Sequence, residues 1–215
     1  MSAPLARVEI AGIIASGKTT LARLFARDGR VNVVLEAFAK NPFYEAFYRE
    51  PAAVAFEAEL TFFLMHAYEA RRSVAQLTVC DYATILDRAY SRVTLTESQI
   101  VAFDSVQNCV GELLPPPTLN VYLICGPNEA LSRIRQRQRQ PEAATTLDYL
   151  CALDVALREQ MRQSFVPSLM IDSEAIDFRS DTAIQEALLA KIQHKLETLV
   201  PFTAGARPSC PPDIS

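Results

Sequence analysis

The sequence predicts an α/β fold in which a parallel sheet lies between two layers of helices. Five short apolar runs rich in β-branched residues predict buried strands, and longer segments with apolar residues at helical spacing separate them. Such an alternation needs crossover connections, which make the strands parallel and cover both faces of the sheet. We therefore expect one domain over residues 1–200, followed by a flexible, proline-rich tail over residues 201–215.

The first half of the chain starts with a strand, a glycine-containing loop and a helix with Leu21, Leu24 and Phe25 at helical spacing. A long helix follows later, and its apolar stripe runs from Phe56 to Ala67. The elements predicted in this half are, in order, a strand at 5–11, a loop at 12–17, a helix at 19–27, a strand at 31–35, a short aromatic-rich helix at 42–48, a long helix at 52–76 and a strand at 77–80.

The second half repeats the alternation, and the pattern assigns no element between residues 81 and 95. Three consecutive prolines from Pro115 end one helix, and the run LNVYLIC that follows is the clearest strand in the chain. The elements predicted in this half are a helix at 96–114, a strand at 119–125, a helix at 128–140 that becomes basic, a helix at 146–165, a strand at 169–171 and a last helix at 182–199.

Composition excludes several classes of protein. Of the 215 residues, 50% are hydrophobic and 21% are charged, which is typical of a globular chain and not of collagen, a coiled coil or a disordered protein. The net charge is −4 without a basic block, so we expect no nucleic-acid partner. No apolar run is long enough to span a membrane. Five cysteines without a C-x-x-C motif favour a reducing, cytoplasmic setting.

The loop after the first strand matches the phosphate-binding pattern G-x-x-x-x-G-K-[ST]. Glycines let consecutive N–H groups point at phosphate oxygens, the lysine reaches the β- and γ-phosphates, and the hydroxyl takes a place on Mg²⁺. A strand before the loop and a helix after it are the context that the motif requires. We therefore expect a nucleoside triphosphate, either ATP or another one, at Gly12, Ala15, Ser16, Gly17, Lys18, Thr19 and Thr20.

Several later motifs follow in the order and at the spacings seen in one family. The motifs are Glu36 with Asn41-Pro42-Phe43 and Phe47-Tyr48, Ala55-Phe56-x-x-Glu59, Asp81-Tyr82 with Asp87-Arg88, and Arg133-Ile134-x-x-Arg137-Gln138-Arg139-x-x-Glu142. Each motif is weak alone, but their ordered coincidence between about residues 6 and 178 resembles the deoxynucleoside kinase family, in particular a bacterial branch with D-[FY] where most members have D-R-S.

The resemblance implies a fold, an activity and an assembly. The expected fold is the three-layer α/β P-loop kinase fold, with a five-stranded parallel sheet, helices on both faces and an Arg-rich lid. The expected reaction is ATP-dependent, Mg²⁺-assisted phosphorylation of the 5′-hydroxyl of a deoxynucleoside in nucleotide salvage. The family also implies a homodimer, and the predicted helix at 96–114 together with the long helix would form its interface.

The resemblance also assigns roles to individual residues. Glu36 stands where the family keeps the general base, and an acid at Asp81 would hold Mg²⁺ together with Thr19. The arginines of the lid would stabilise charge on the transferring phosphoryl group beside Lys18. These lid residues are Arg133, Arg137 and Arg139. Tyr48 and Glu142 match positions that hold the sugar 3′-hydroxyl.

The base-reading positions depart from the family pattern. The family has Gln, Arg and Asp where this chain has Glu59, His66 and Asp87. Two carboxylates favour a base rich in N–H donors, so a purine is the expected base. The other reading is that Glu59 and His66 pair with each other within the helical layer.

Position 82 is the larger departure, because Tyr82 replaces an arginine that most of the family has beside the metal acid. Two alternatives are therefore also consistent with the sequence. One is a nucleoside monophosphate kinase of the thymidylate type, since Asp87-Arg88-Ala89-Tyr90 superficially resembles its D-R-[YF] motif. The other is a nucleotide-binding sensor or partner protein without catalysis.

Overall fold

The computed structural model describes residues 6–73, 75–114, 116–137 and 141–200. Its five strands form one fully parallel sheet in the order β2-β3-β1-β4-β5, which confirms the predicted fold class. The strands are β1 (Ala6–Ala11), β2 (Val31–Val34), β3 (Leu77–Cys80), β4 (Leu119–Ile124) and β5 (Ser168–Asp172). The predicted tail and Arg139 lie outside the described residues.

Eight α-helices belong to the described part of the chain, and a short 3-10 helix at Phe38–Lys40 follows β2. The helices are α1 (Lys18–Phe25), α2 (Tyr44–Arg49), α3 (Pro51–Arg72), α4 (Thr84–Thr94), α5 (Glu97–Gly111), α6 (Pro127–Arg137), α7 (Leu147–Gln163) and α8 (Thr182–Leu199). No helix among the described residues has both the length and the apolar character needed to cross a membrane.

Alternating side chains of the sheet pack against two different helical layers. In β1, Val8 and Ile10 belong to the apolar cluster that includes α1 and α8. The next residue, Ala11, belongs to the opposite cluster, which includes α4, α6 and α7. Outside that second layer, α3 and α5 meet through Phe63 and Phe103, whose ring centroids are 5.7 Å apart. The period of two along a strand therefore produces the three layers.

Helix α4 is an α-helix that the sequence pattern did not predict. Its buried face carries Asp87 and Ser91 beside Leu86 and Ala89, so buried polar residues interrupt the apolar periodicity. The helix begins at Thr84, whose N–H donates to the buried carboxylate of Glu9 at 2.8 Å. The first N–H groups of a helix have no acceptor within the helix, and the carboxylate of Glu9 supplies one for Thr84. Strand β1 thereby fixes the start of the helix that carries Asp87.

Candidate active site

The phosphate loop lies between β1 and α1, as its sequence predicts. Gly12, Ala15 and Gly17 have φ angles of 152°, 65° and 105°. A Cβ at Gly17 would lie 2.7 Å from Cζ of Phe178, so this position excludes a side chain for steric as well as conformational reasons. Lys18 Nζ donates to the carbonyl oxygens of Gly12 at 2.9 Å and of Ile13 at 3.2 Å. The amine therefore lies over the loop that would hold the phosphates.

A chain of direct contacts links the phosphate loop to the ends of two other strands. The hydroxyl of Thr19 donates to Oδ2 of Asp81 at 2.8 Å, and the backbone N–H of Glu36 donates to Oδ1 of the same carboxylate. Asp81 follows β3 and Glu36 follows β2, so the carboxyl ends of neighbouring parallel strands bring the three residues together. Burial raises the pKa of Asp81, and the two hydrogen bonds oppose that rise.

The side chains of Thr19 and Asp81 fit a magnesium ion that the protein holds only in part. A hydroxyl and a carboxylate oxygen 2.8 Å apart beside a phosphate loop are hard oxygen donors, which suit Mg²⁺. In the part of the chain that the structure describes, no cluster of three or more His, Cys, Asp or Glu side chains could hold a metal by itself. Magnesium commonly takes one or two protein ligands, with phosphates and water completing its shell.

A cavity of about 700 Å³ opens above the carboxyl ends of the strands. Lys18 and Glu36 both line it, so the predicted phosphate site and the predicted base face the same space. Burial lowers the pKa of Lys18, while Glu36 and Asp81 oppose this effect. Of the predicted residues, those that line the cavity are Ala15, Gly17, Lys18, Thr19, Thr20, Glu36, Tyr48, Glu59, His66, Asp87, Arg133, Arg137 and Glu142.

Three titratable side chains from two helices occupy the deep end of the cavity. Nδ1 of His66 on α3 lies 2.9 Å from Oδ1 of Asp87 on α4, and the hydroxyl of Thr94 donates to Oε1 of Glu59 at 3.1 Å. The sequence left open a pairing of Glu59 with His66, and the structure instead gives these two residues the separate hydrogen bonds just described. Aromatic rings flank the same space, with Phe62 stacked 6.0 Å from His66.

Burial changes the hydrogen-bonding capacity of Glu59. It raises the pKa of this carboxyl to about 8, and the nearby Asp87 carboxylate adds to the rise. At neutral pH the side chain therefore keeps its proton and both donates and accepts, as a glutamine does. The opposite holds at His66, where burial alone would lower the pKa but Asp87 and Glu36 raise it to about 10.

Two arginines of α6, Arg133 and Arg137, line the cavity. The guanidinium of Arg133 donates to the carbonyl oxygen of Ser173 at 2.8 Å and contacts that of Ala15 at 3.5 Å. Arg137 forms an ion pair with the buried Glu142. The pKa of Tyr48 is raised by burial, with Glu142 contributing. Two of the three predicted lid arginines therefore flank the cavity.

Comparison with known proteins identifies the family. Residues 8–197 match the family model described as deoxynucleoside kinase. The chain belongs to the deoxynucleoside kinase family. It is thereby a kinase, which excludes the purely binding protein that the sequence left open. Its relatives include a deoxyguanosine kinase of Bacillus subtilis, 25% identical over 86% of this chain and 95% of the relative. A deoxyadenosine kinase of Dictyostelium discoideum is 23% identical over 79% of this chain and 74% of the relative.

Solved structures support the fold of this deoxynucleoside kinase family member. The structure of deoxyadenosine kinase from M. mycoides with products dCMP and a flexible dCDP bound superposes with a TM-score of 0.75. The sequences are 19% identical, and the match covers 88% of this chain and 99% of the other. The same enzyme with bound dATP gives a TM-score of 0.72 at 21% identity, covering 87% and 99% of the two chains.

Residues that the sequence analysis did not select also line the cavity of this family member. They belong to the segment after β5 and to the aromatic wall near α2. The segment could have been found from the sequence, because ligands of open parallel sheets bind outside the carboxyl ends of the strands. The residues that were missed include Phe38, Tyr44, Ser173, Glu174, Asp177, Phe178 and Arg179.

Proposed function

We propose that this kinase transfers the γ-phosphoryl group of ATP to the 5′-hydroxyl of a deoxynucleoside, with a purine as the favoured base. The contacts from Thr19 through Asp81 to Glu36 carry this proposal, because they join the phosphate loop to a carboxylate in one cavity. The acceptor atom and the donor phosphate must be held in line and in contact for such a transfer.

Glu36 acts as the general base in this proposal. The 5′-hydroxyl gives its proton to the Glu36 carboxylate while its oxygen bonds to the γ-phosphorus, and the bond from that phosphorus to the bridging oxygen breaks. The products are ADP and the nucleoside 5′-monophosphate. Mg²⁺, when bound, neutralises phosphate charge, and Thr19 and Asp81 would hold it. Lys18, Arg133, Arg137 and Arg139 bind the phosphoryl oxygens as charge develops on them.

The sugar and the base occupy the rest of the cavity. Tyr48 and Glu142 hold the 3′-hydroxyl, since both line the cavity near the lid. Glu59, His66 and Asp87 face the base, and a protonated Glu59 offers one donor and one acceptor, which suits the edge of either purine. The names of the relatives, deoxyguanosine and deoxyadenosine kinase, favour the same base class.

The assay uses purified protein, ATP and Mg²⁺ with each of the four deoxynucleosides and their 5′-monophosphates, and product is separated by chromatography. We expect the fastest phosphorylation with a purine deoxynucleoside. Best activity on thymidine would refute the base assignment. Product from monophosphates alone would favour the thymidylate-type alternative, and the absence of product from every acceptor would refute the proposed reaction.

Two substitutions test the roles of the reacting groups. Glu36→Gln is expected to lower kcat by about 10²- to 10⁴-fold, which is the range for removal of a general base. Lys18→Ala should abolish turnover. Glu45→Gln is the matched control, because Glu45 is an exposed acid on α2 outside the cavity. Wild-type kcat in Glu36→Gln would overturn the assignment of the base.

The assembly and location of the kinase are further proposals. We expect a homodimer formed through α3 and α5, a cytoplasmic location and no nucleic-acid partner. Sedimentation velocity tests the dimer, cell fractionation tests the location, and an electrophoretic mobility assay with duplex and single-stranded DNA tests the third expectation.

A further inference from the structure

His66 lies between two carboxylates that come from different elements. Its Nδ1 is within hydrogen-bond distance of both oxygens of Asp87, at 2.9 and 3.2 Å. On the other side of the ring, Nε2 lies 3.4 Å from Oε1 of Glu36. Both ring nitrogens therefore face carboxylate oxygens, which accept hydrogen bonds and do not donate them when ionised.

Packing fixes the plane of this ring. The ring of Tyr82 stacks on His66 with centroids 4.0 Å apart and an interplanar angle of 9°. The hydroxyl of Tyr82 donates to the backbone carbonyl oxygen of His66 at 3.2 Å. With one face covered and Nδ1 bound to Asp87, the imidazole cannot turn Nε2 away from Glu36 without breaking these contacts.

The Nε2 atom of His66 is the unsatisfied end of this arrangement. It is buried and makes no hydrogen bond with any residue that the structure describes. A buried donor without a partner is costly, and Glu36 is an acceptor 3.4 Å away. In sites without substrate, catalytic hydrogen bonds are often long and shorten when the substrate binds.

Tyr82 contacts His66 and also stands where most of the family has an arginine. Most members of the family have an arginine at the position of Tyr82, beside the acid that would hold the metal. Tyr82 carries no positive charge, so this chain lacks that cation. Tyr82 instead supports the ring of His66. The imidazole of His66, which comes from α3, lies beside Glu36 with Nε2 3.4 Å from its carboxylate.

We propose that His66 is a positioning residue for phosphoryl transfer: its Nε2–H holds one oxygen of the Glu36 carboxylate, while Asp87 holds the ring from the other side. The second oxygen of Glu36 is then oriented to receive the proton of the acceptor hydroxyl. This inference rests on the proposed role of Glu36 and assigns His66 to the transfer step in place of reading the base.

The first experiment measures the contact without any turnover. The chain contains two histidines, and His194 is exposed on α8. In a His194→Gln background, the ring nitrogens of His66 are therefore the imidazole signals in a long-range ¹H–¹⁵N spectrum. We expect Glu36→Gln to shift Nε2 of His66 more than Nδ1. An unchanged Nε2 resonance in Glu36→Gln would overturn the contact and the inference.

The second experiment uses two amides that replace different nitrogens of the ring. The nitrogen of glutamine can occupy the position of Nε2 and face Glu36, whereas that of asparagine can occupy the position of Nδ1 and face Asp87. We expect His66→Asn to lower kcat by about 10- to 100-fold at saturating nucleoside, with the nucleoside KM within about threefold of wild type. His66→Gln should recover most of kcat.

The outcomes separate this inference from the proposed function. A raised KM or a changed base preference at unchanged kcat in both variants would return His66 to base reading and overturn the inference alone. Equal losses of kcat in both variants would also overturn it, because orientation by Nε2 predicts rescue by glutamine. A wild-type protein that phosphorylates no nucleoside would overturn both. If either variant fails to fold, the spectrum of Glu36→Gln still tests the contact between Nε2 of His66 and Glu36.

Discussion

Replacing Glu59 with glutamine is expected to remove a pH-dependent penalty on folding. Glu59 is 6% exposed, and burial raises the pKa of its carboxyl from 4.5 to about 8. Between these two pH values the folded chain keeps a proton that the unfolded chain releases. The contribution of Glu59 to the free energy of unfolding must therefore fall as pH rises through this window and level off above about pH 8.

The size of the effect follows from the two pKa values. Each tenfold change in proton affinity corresponds to about 1.4 kcal/mol, so a carboxyl that moves from 4.5 to about 8 sets an upper limit of about 5 kcal/mol. Glutamine has nearly the same shape and no proton to lose. The advantage of Glu59→Gln over the wild type should therefore grow by a few kcal/mol between pH 5 and pH 8.

Urea unfolding at pH 5, 6, 7 and 8 measures this difference. Glu57→Gln is the matched control, since Glu57 is exposed on the same helix and its charge carries no burial cost. A pH-independent difference between Glu59→Gln and the wild type would refute the reasoning. A wild type that gains stability relative to the variant as pH rises would show that the folded protein holds Glu59 ionised and paired.

Three further predictions concern the phosphate loop, the metal site and the core. Gly17→Ala should weaken ATP binding at least about tenfold in calorimetric titration, because φ is 105° and the new Cβ would lie 2.7 Å from Phe178. Thr19→Val should raise the Mg²⁺ concentration needed for half-maximal activity, whereas Thr19→Ser should not, because only a hydroxyl can be a ligand. Phe63→Ala should lower the free energy of unfolding by about 3–5 kcal/mol in urea titration, since the side chain is fully buried against Phe103.

Each of these predictions has a matched comparison. Gly29→Ala should leave ATP affinity unchanged, because nothing lies within 4 Å of a Cβ at Gly29. Leu64→Ala, at a side chain that is 43% exposed on the same helix as Phe63, should cost under about 1 kcal/mol. If Thr19→Val and Thr19→Ser changed the Mg²⁺ requirement equally, the hydroxyl of Thr19 would not be a metal ligand.

Local pattern was sufficient for the fold class and for the phosphate loop. Five apolar runs and the helical stripes between them predicted a parallel sheet, because each strand buries both faces and needs a crossover. The motif from Gly12 to Thr19 is contiguous, so it can be recognised from neighbouring residues alone. Local pattern did not predict α4, because its buried face includes Asp87 and Ser91, and the partner of Asp87 is His66 on another helix.

The chain alone therefore determined which residue types reach the carboxyl edge of the sheet, because strand ends and loop motifs are local properties. The tertiary structure determined the hydrogen-bond partners and the protonation states of these residues. Glu36 and Asp81 are 45 residues apart in sequence, and His66 meets Asp87 from another helix. Hydrogen bonding and desolvation depend on distances across the fold, which no spacing along the chain specifies.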